Sequence, residues 1–338
     1  MRQGVFRFFS LMKTPKEDTS RAAVGGQAVI EGVMMRSPEA VVVAVRRPDG
    51  AIVYRRRSFR SLSASSKLWG AAVLRGAVVL VESLVLGMEA LSFSSRVVME
   101  DETSATRNGP QALWSRLLTI FTVVAALAVG IGLFFYLPLL VAHVTGVRSG
   151  LAFNLIDGAV RLLLFVGYLV AVGQWKEIRR VFEYHGAEHM SIHAYEAGGA
   201  LSIEEAARHS PSHPRCGTSF LLVVAMVSVI VFVVLPRPHT PLDPLVALRL
   251  LLVPLVAGLS YEVLKLAARW PDNPLLRPLV AAGTWLQRLT TRIPDPGQLE
   301  VALVALKSAL GHDVSALAQD YEELMHKTEG ILSARVEA

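Results

Sequence analysis

Leu151–Gly173 reads LAFNLIDGAVRLLLFVGYLVAVG, a run that is apolar apart from Asn154, Asp157 and Arg161. Its length matches the roughly 20 apolar residues that a bilayer requires of a spanning helix. Three further runs qualify: Leu117 to Val141, Ser219 to Leu235 at the short limit, and Leu245 to Ala267. They predict a mainly α, polytopic membrane protein with about four transmembrane helices across 117–267. Composition agrees. The 338 residues are 52% hydrophobic and 18% charged, with mean hydropathy +0.44, where soluble domains carry roughly a quarter charged residues. A single Cys excludes an internal disulfide framework and suits a reducing compartment.

Basic residues give the orientation. The loops after the first and third runs carry only Arg148 and Arg237, whereas loop 174–218 carries Lys176, Arg179, Arg180, Arg208 and Arg215. Both ends of the chain are also rich in Arg. Positive charge collects on the cytoplasmic side, so both termini and loop 174–218 are expected there, with the lipid bilayer as the first partner.

Residues 1–66 read as a cytoplasmic unit. Met1 to Met12 is a short amphipathic lead-in with no signal-peptide core. Val41–Val45 and Ala51–Tyr54, joined by Pro48-Asp49-Gly50, predict a β-hairpin. The three glycines of Gly25–Arg36 permit close backbone approach to a ligand or a packed neighbour, and Glu31 among them is either a salt-bridged carboxylate or a site-lining one. Arg55, Arg56, Arg57 and Arg60 fit anionic headgroups, each worth about 1 kcal/mol near a membrane surface. No aromatic residues interleave them as RNA binding would want, so nucleic acid is not an expected partner.

Within residues 67–96, the stretch 68–93 is apolar except for Arg75, Glu82 and Glu89, spaced by seven and therefore on one helical stripe. A span here would put thirteen Lys and Arg outside the cytoplasm. An in-plane or re-entrant helix is expected instead, with its stripe facing protein or headgroups. Within the second span, Asp157 and Arg161 can pair as i, i+4 with Asn154 on the same face, as an interhelical pair or a substrate contact. Residues 268–338 read as cytoplasmic helices, Leu299, Leu303, Leu306 and Leu310 forming an apolar face over 298–334. They are expected to cap the cytoplasmic side or to contact a partner protein.

The chemistry concentrates in loop 174–218. Tyr184-His185-Gly186-Ala187-Glu188-His189 places two imidazoles four apart, so on a helix both can share one metal. His-x-x-Glu-His is the inverted zinc-peptidase arrangement, with two ligands and a water-activating Glu. His213 and Cys216 add an imidazole and a thiolate, both accepted by zinc. The expected ligands are therefore His185, His189, His213 and Cys216 around zinc or another divalent transition metal, with Glu188 as general base. Glu262, near the cytoplasmic end of the fourth span, is a further ligand or a carboxylate orienting an imidazole. Arg215 is placed to pair with Glu188 or to bind an anionic headgroup or substrate. His193 and His209 read as exposed loop histidines, and Cys216 also fits a small buried hydrophobe.

Gly25–Arg36, Tyr184–His189 and His213–Phe220 together resemble the YqhQ-like bacterial membrane proteins. Gln287-x-Leu289-Thr290-Thr291 and Gln298–Ala302 extend the resemblance over about residues 22 to 310. It implies a bacterial inner-membrane protein of a family of unknown function, described as predicted metal-dependent enzymes. The family's usual basic residue after the second His is Met190 here. Three functions follow: a zinc hydrolase acting on a peptide or lipid-linked substrate, a partner-binding scaffold with a structural metal, and a metal transporter. The last lacks a mid-bilayer ligand pair, since His143 and His239 fall in the outer loops. Three protein ligands plus water make a site catalytic; four make it structural.

Overall fold

The computed structural model describes residues 22–66, 68–99, 110–147, 149–213, 216–233, 242–270, 273–274 and 276–324. The Met1–Met12 lead-in, Arg148, Arg215, Arg237, His239 and the stretch after residue 324 lie outside them.

Val41–Val45 is apolar without alternation because both faces of its strand are covered. Strands β1 (Gly25–Val29), β2 (Gly32–Arg36), β3 (Ala40–Arg46) and β4 (Ile52–Ser58) form an antiparallel meander, and the short β5 (Gln319–Asp320) joins β4 in parallel. The expected hairpin is β3–β4, with Gly50 at positive φ in its turn. The glycine-rich stretch before it is a second hairpin, β1–β2, turning at Ile30 and Glu31.

Helix α1 spans Leu74–Met99, α2 Pro110–Ile131, α3 Leu137–Val144 after a π-helical turn, α4 Gly150–Val172 and α5 Lys176–Ala197. They are followed by α6 (Gly217–Val233), α7 (Leu242–Leu251), α8 (Val253–Arg269), α9 (Arg277–Thr290) and α10 (Pro296–Ala309). The protein is thus mainly helical with a small N-terminal sheet. Leu74–Met99, Phe121–Val144 and Gly150–Val172 are long and apolar enough to cross a membrane; Pro244–Leu251 with Val253–Ala267, bent by 42°, would make a fourth. Pro254 in the first turn of α8 accounts for that break. The expected third span, α6, is a shorter apolar helix of 17 residues.

Of residues 67–96, those from Leu74 on lie in the 26-residue helix Leu74–Met99, one of the three long and apolar enough to cross a membrane. Its first turns cross α8 closely: a Cβ on Gly76 would lie 2.8 Å from the Gly258 Cα. Its last turns put Ala90, Phe93 and Val97 on the sheet with Val29, Met34, Val41, Val43 and Val45. Each charge of the stripe has a partner. Arg75 pairs with Glu262, Glu82 with Arg36 and the Leu62 N–H, and Glu89 with Arg57. Part of the basic cluster is consumed the same way, since the Arg55 guanidinium lies over the Phe93 ring.

The other sheet face, with Val33, Met35, Val42, Ala44 and Ile52, is covered by α5 and α10. Residues 296–309 are consequently no peripheral cap. Leu299, Leu303 and Leu306 are buried as their spacing predicts, but so are Val301, Ala302, Val304 and Ala305 on the opposite faces. A capping box between Asp295 and Gln298 starts this central helix at the expected Pro-rich break.

Among the apolar helices, Asp157 bonds Arg161 at 3.0 Å and also Arg249 of α7 at 2.5 Å. Arg249 donates to Asn154 and Arg161 to Ser228 of α6. All five residues are buried, and the two guanidinium groups pack on Phe232. The i, i+4 pair is therefore one part of a cluster tying three helices together, as a polar group removed from water requires.

Candidate metal centre

Tyr184–His189 is not in a loop. It forms the middle of α5, a polar helix that ends where Gly198 adopts the left-handed conformation. His185, His189 and His193 repeat every four residues and share one face. Gly186 explains how the neighbouring chain comes so near: a Cβ there would sit 1.9 Å from the Arg292 carbonyl oxygen. With no side chain in the way, Thr290–Pro294 crosses directly over α5, and the Arg292 N–H donates to Phe182 O at 2.9 Å.

That crossing presents the Thr290 carbonyl to His185 Nδ1 at 2.8 Å. The returning loop does the same for His189, whose Nδ1 is 2.6 Å from Pro211 O. A carbonyl can only accept, so each Nδ1 carries the proton and each Nε2 is left as a lone pair. His185 Nε2 lies 3.2 Å from Cys216 Sγ, and the His189 ring also bonds that sulfur. One potential ligand atom from each of His185, His189 and Cys216 lies within 4.8 Å of the others. Two imidazole lone pairs thus converge on a sulfur that has at most one proton to offer, a donor set that could hold a divalent cation. Metal-ligating imidazoles usually donate their other ring N–H to a carbonyl or carboxylate in this way, and a thiolate is a zinc ligand. The Thr218 N–H donates to the sulfur at 3.4 Å. Burial holds the His189 imidazole below its ordinary pKa, toward the neutral form that binds metal.

Glu188, 4% exposed, is pushed up to about pKa 7, chiefly by desolvation, against the lowering influence of His185 and of a hydrogen bond from the Gly26 N–H. A Cβ on Gly26 would meet the Glu188 Cδ at 2.9 Å and the Met34 carbonyl oxygen at 2.7 Å. The close approach expected of the N-terminal glycines is therefore to this carboxylate. Gly26 also lines a cavity of about 1120 Å³ between the sheet and α1, whose wall includes Arg36, Arg60, Val79, Leu86 and Tyr261.

The other expected site residues fall elsewhere. Glu262 accepts from Arg75 and from the Val73 N–H, 3.3 Å away, on the α1–α8 crossing; it belongs to neither group of potential ligands among the described residues. Glu31 is ion-paired with Arg180 and accepts from the Tyr184 hydroxyl at 3.3 Å, so its role is to brace the β1–β2 turn against α5. Asn154, Asp157 and Arg161 belong to the cluster in the apolar helices, and Arg215 lies outside the described residues. His213 is grouped not with Cys216 but with His193 and Glu196. His193 and His209 are partly buried rather than exposed, their rings stacked 6.1 Å apart.

One residue escaped the sequence reading of the site. Gln287 of α9 is fully buried and clamps His213 by both backbone groups, accepting from its N–H and donating to its carbonyl, each at 2.7 Å. Its side chain carries no ionisable group, so nothing in its type marks it. Gln287→Ala leaves two buried backbone groups unpaired, at about 1–3 kcal/mol each. Detergent-purified variant protein is expected to lose about 2–6 kcal/mol of stability, read as a lowered thermal midpoint; an unchanged midpoint would remove the clamp.

Residues 71–312 match a family model described as Protein of unknown function (DUF1385). The chain belongs to this family. It is also 33% identical over 319 residues to the Uncharacterized protein YqhQ of Bacillus subtilis (strain 168), covering 90% of this chain and 96% of the relative. The YqhQ-like resemblance read from the motifs is thereby shown at the level of family. No solved structure matches.

Proposed function

We propose that the chain is a membrane-embedded, metal-dependent hydrolase with zinc at His185, His189 and Cys216, working at the cytoplasmic face of a bacterial inner membrane. The observation that carries this reading is the convergence of two tautomer-fixed imidazoles and the only thiol, with a buried carboxylate one helical turn from His185. His213 belongs to the other group of potential ligands, so among the described residues three protein groups surround this centre, the number that favours catalysis over a closed structural site. Zinc supplies Lewis acidity to a carbonyl oxygen and to water. Glu188 takes the proton of the attacking water on its carboxylate and returns it to the leaving group, held in place by the Gly26 N–H.

Membrane residence is supported by large apolar side chains left exposed on the apolar helices, among them Phe121 (69%), Val129 (68%), Leu163 (72%) and Ile230 (70%). Hydrocarbon covers such surfaces where water would not. The charge asymmetry of the loops supports cytoplasmic termini. The cavity beside Gly26, basic on one wall and apolar on another, suits a peptide or lipid-linked substrate. A metal transporter is disfavoured because neither group of potential ligands among the described residues lies within the apolar helices.

Zinc-loaded protein in detergent is expected to hydrolyse p-nitrophenyl acetate, to stop on dialysis against a chelator and to recover with added zinc. Hydrolysis indifferent to the chelator would sink the reading. The burial of His189 and Cys216 (1% and 7% exposed) favours a second reading, a scaffold in which the metal is structural; metal retained with no zinc-dependent hydrolysis would establish it.

A further inference from the structure

We propose that His193, Glu196 and His213 form a second divalent-cation site, with two imidazoles and a carboxylate as ligands, that fastens the 198–213 excursion onto α5. One potential ligand atom from each lies within 4.8 Å of the others. His193 Nε2 is 2.9 Å from the Ser212 carbonyl, which can only accept; Nε2 therefore carries the proton and Nδ1 is left as the lone pair. His213 Nε2 is 3.2 Å from Glu196 Oε2, and its backbone is fixed on both sides by Gln287. A His213–Glu196 ion pair alone accounts for two of the three groups. It does not account for the His193 ring, centred 4.6 Å from that of His213 with its tautomer set by the loop.

The two sites divide one helix face between them. His185 and His189 serve the first, His193 and Glu196 the second, and the returning loop supplies Pro211 O to one and Ser212 O with His213 to the other. Their chemistry differs. The first set includes a thiolate and is soft; the second is nitrogen and oxygen only, and accepts harder divalent metals in the usual affinity order. Glu196 is exposed, so water can complete the coordination and the cation exchanges readily. This site stands independently of the hydrolase reading.

The test is a Co²⁺ titration of the untagged full chain in detergent, followed by bound metal and by near-ultraviolet absorption. Two equivalents are expected, only one producing the thiolate-to-cobalt band. Glu196→Ala, a change at an exposed position near the helix end, is expected to remove one equivalent and leave the band intact. His193→Ala is expected to do the same, and Cys216→Ser to abolish the band while one equivalent remains. A wild-type chain that takes up a single equivalent, with that equivalent carrying the thiolate band, or variants at Glu196 and His193 that still take up two, would overturn the second site. A missing band with Glu196-dependent uptake retained would sink the first centre alone.

Discussion

Protein in which His185→Ala and His189→Ala are combined is expected to lose the thiolate-to-metal absorption completely and one equivalent of zinc on dialysis. The argument is one of donor number. Removing both imidazoles leaves Cys216 as the sole remaining member of the group, and a lone thiolate does not hold zinc against a buffer. Structural zinc sites are worth about 10–16 kcal/mol with their full ligand set, so the loss lies far outside the scatter of an affinity measurement. The fold should survive, since α5 is anchored by Tyr184, Ala187, Met190 and Ile192 in the cluster shared with the sheet and α10. Elemental analysis on a monodisperse double mutant reads the outcome; retention of the full wild-type zinc content would end the assignment of this centre.

The parts of this arrangement that sequence reveals are those that local geometry controls. Four-residue spacing put His185 and His189 on one face because helical periodicity is indifferent to what surrounds it. The same rule made Arg75, Glu82 and Glu89 one stripe and joined Asp157 to Arg161. What it could not supply is the choice of partner across long separations. His213 and Cys216 are close in sequence but each lies in no helix or strand, so no periodicity says which way its side chain turns, and they serve different groups. Glu262 was placed near the expected depth, but Arg75, 187 residues earlier, reaches it first and neutralises it as a ligand. Arg249 likewise completes the Asp157 cluster from a helix whose position only packing decides. The β1–β2 hairpin escaped because Ile30 and Glu31 lack the Asn-Gly or Asp-Gly signature of a two-residue turn; Glu31 is held at φ 51 while bonded to Arg180 and Tyr184. That hairpin matters to function, because it brings the Gly26 N–H onto Glu188.

Glu188→Gln is the substitution that separates catalyst from scaffold. The amide is nearly isosteric and its oxygen still accepts from the Gly26 N–H, so the β1 strand keeps its seat and the zinc content is expected to stay at the wild-type level. It cannot, however, take a proton from water. General-base catalysis contributes about 10²–10⁴-fold, and zinc-dependent ester hydrolysis is expected to fall by that factor in kcat with KM little changed. Glu188→Ala is a poorer probe, since it empties the space under Gly26 and lets the strand shift. Three outcomes are informative. Metal retained with hydrolysis lost identifies Glu188 as the base. Hydrolysis unchanged removes it from the chemistry, and its burial is then a packing matter between β1 and α5. Zinc lost along with activity makes the carboxylate a support of the centre itself, acting through His185 one helical turn away. The scaffold reading predicts that neither zinc content nor any hydrolysis responds, so one isosteric change at a single buried oxygen decides between the two.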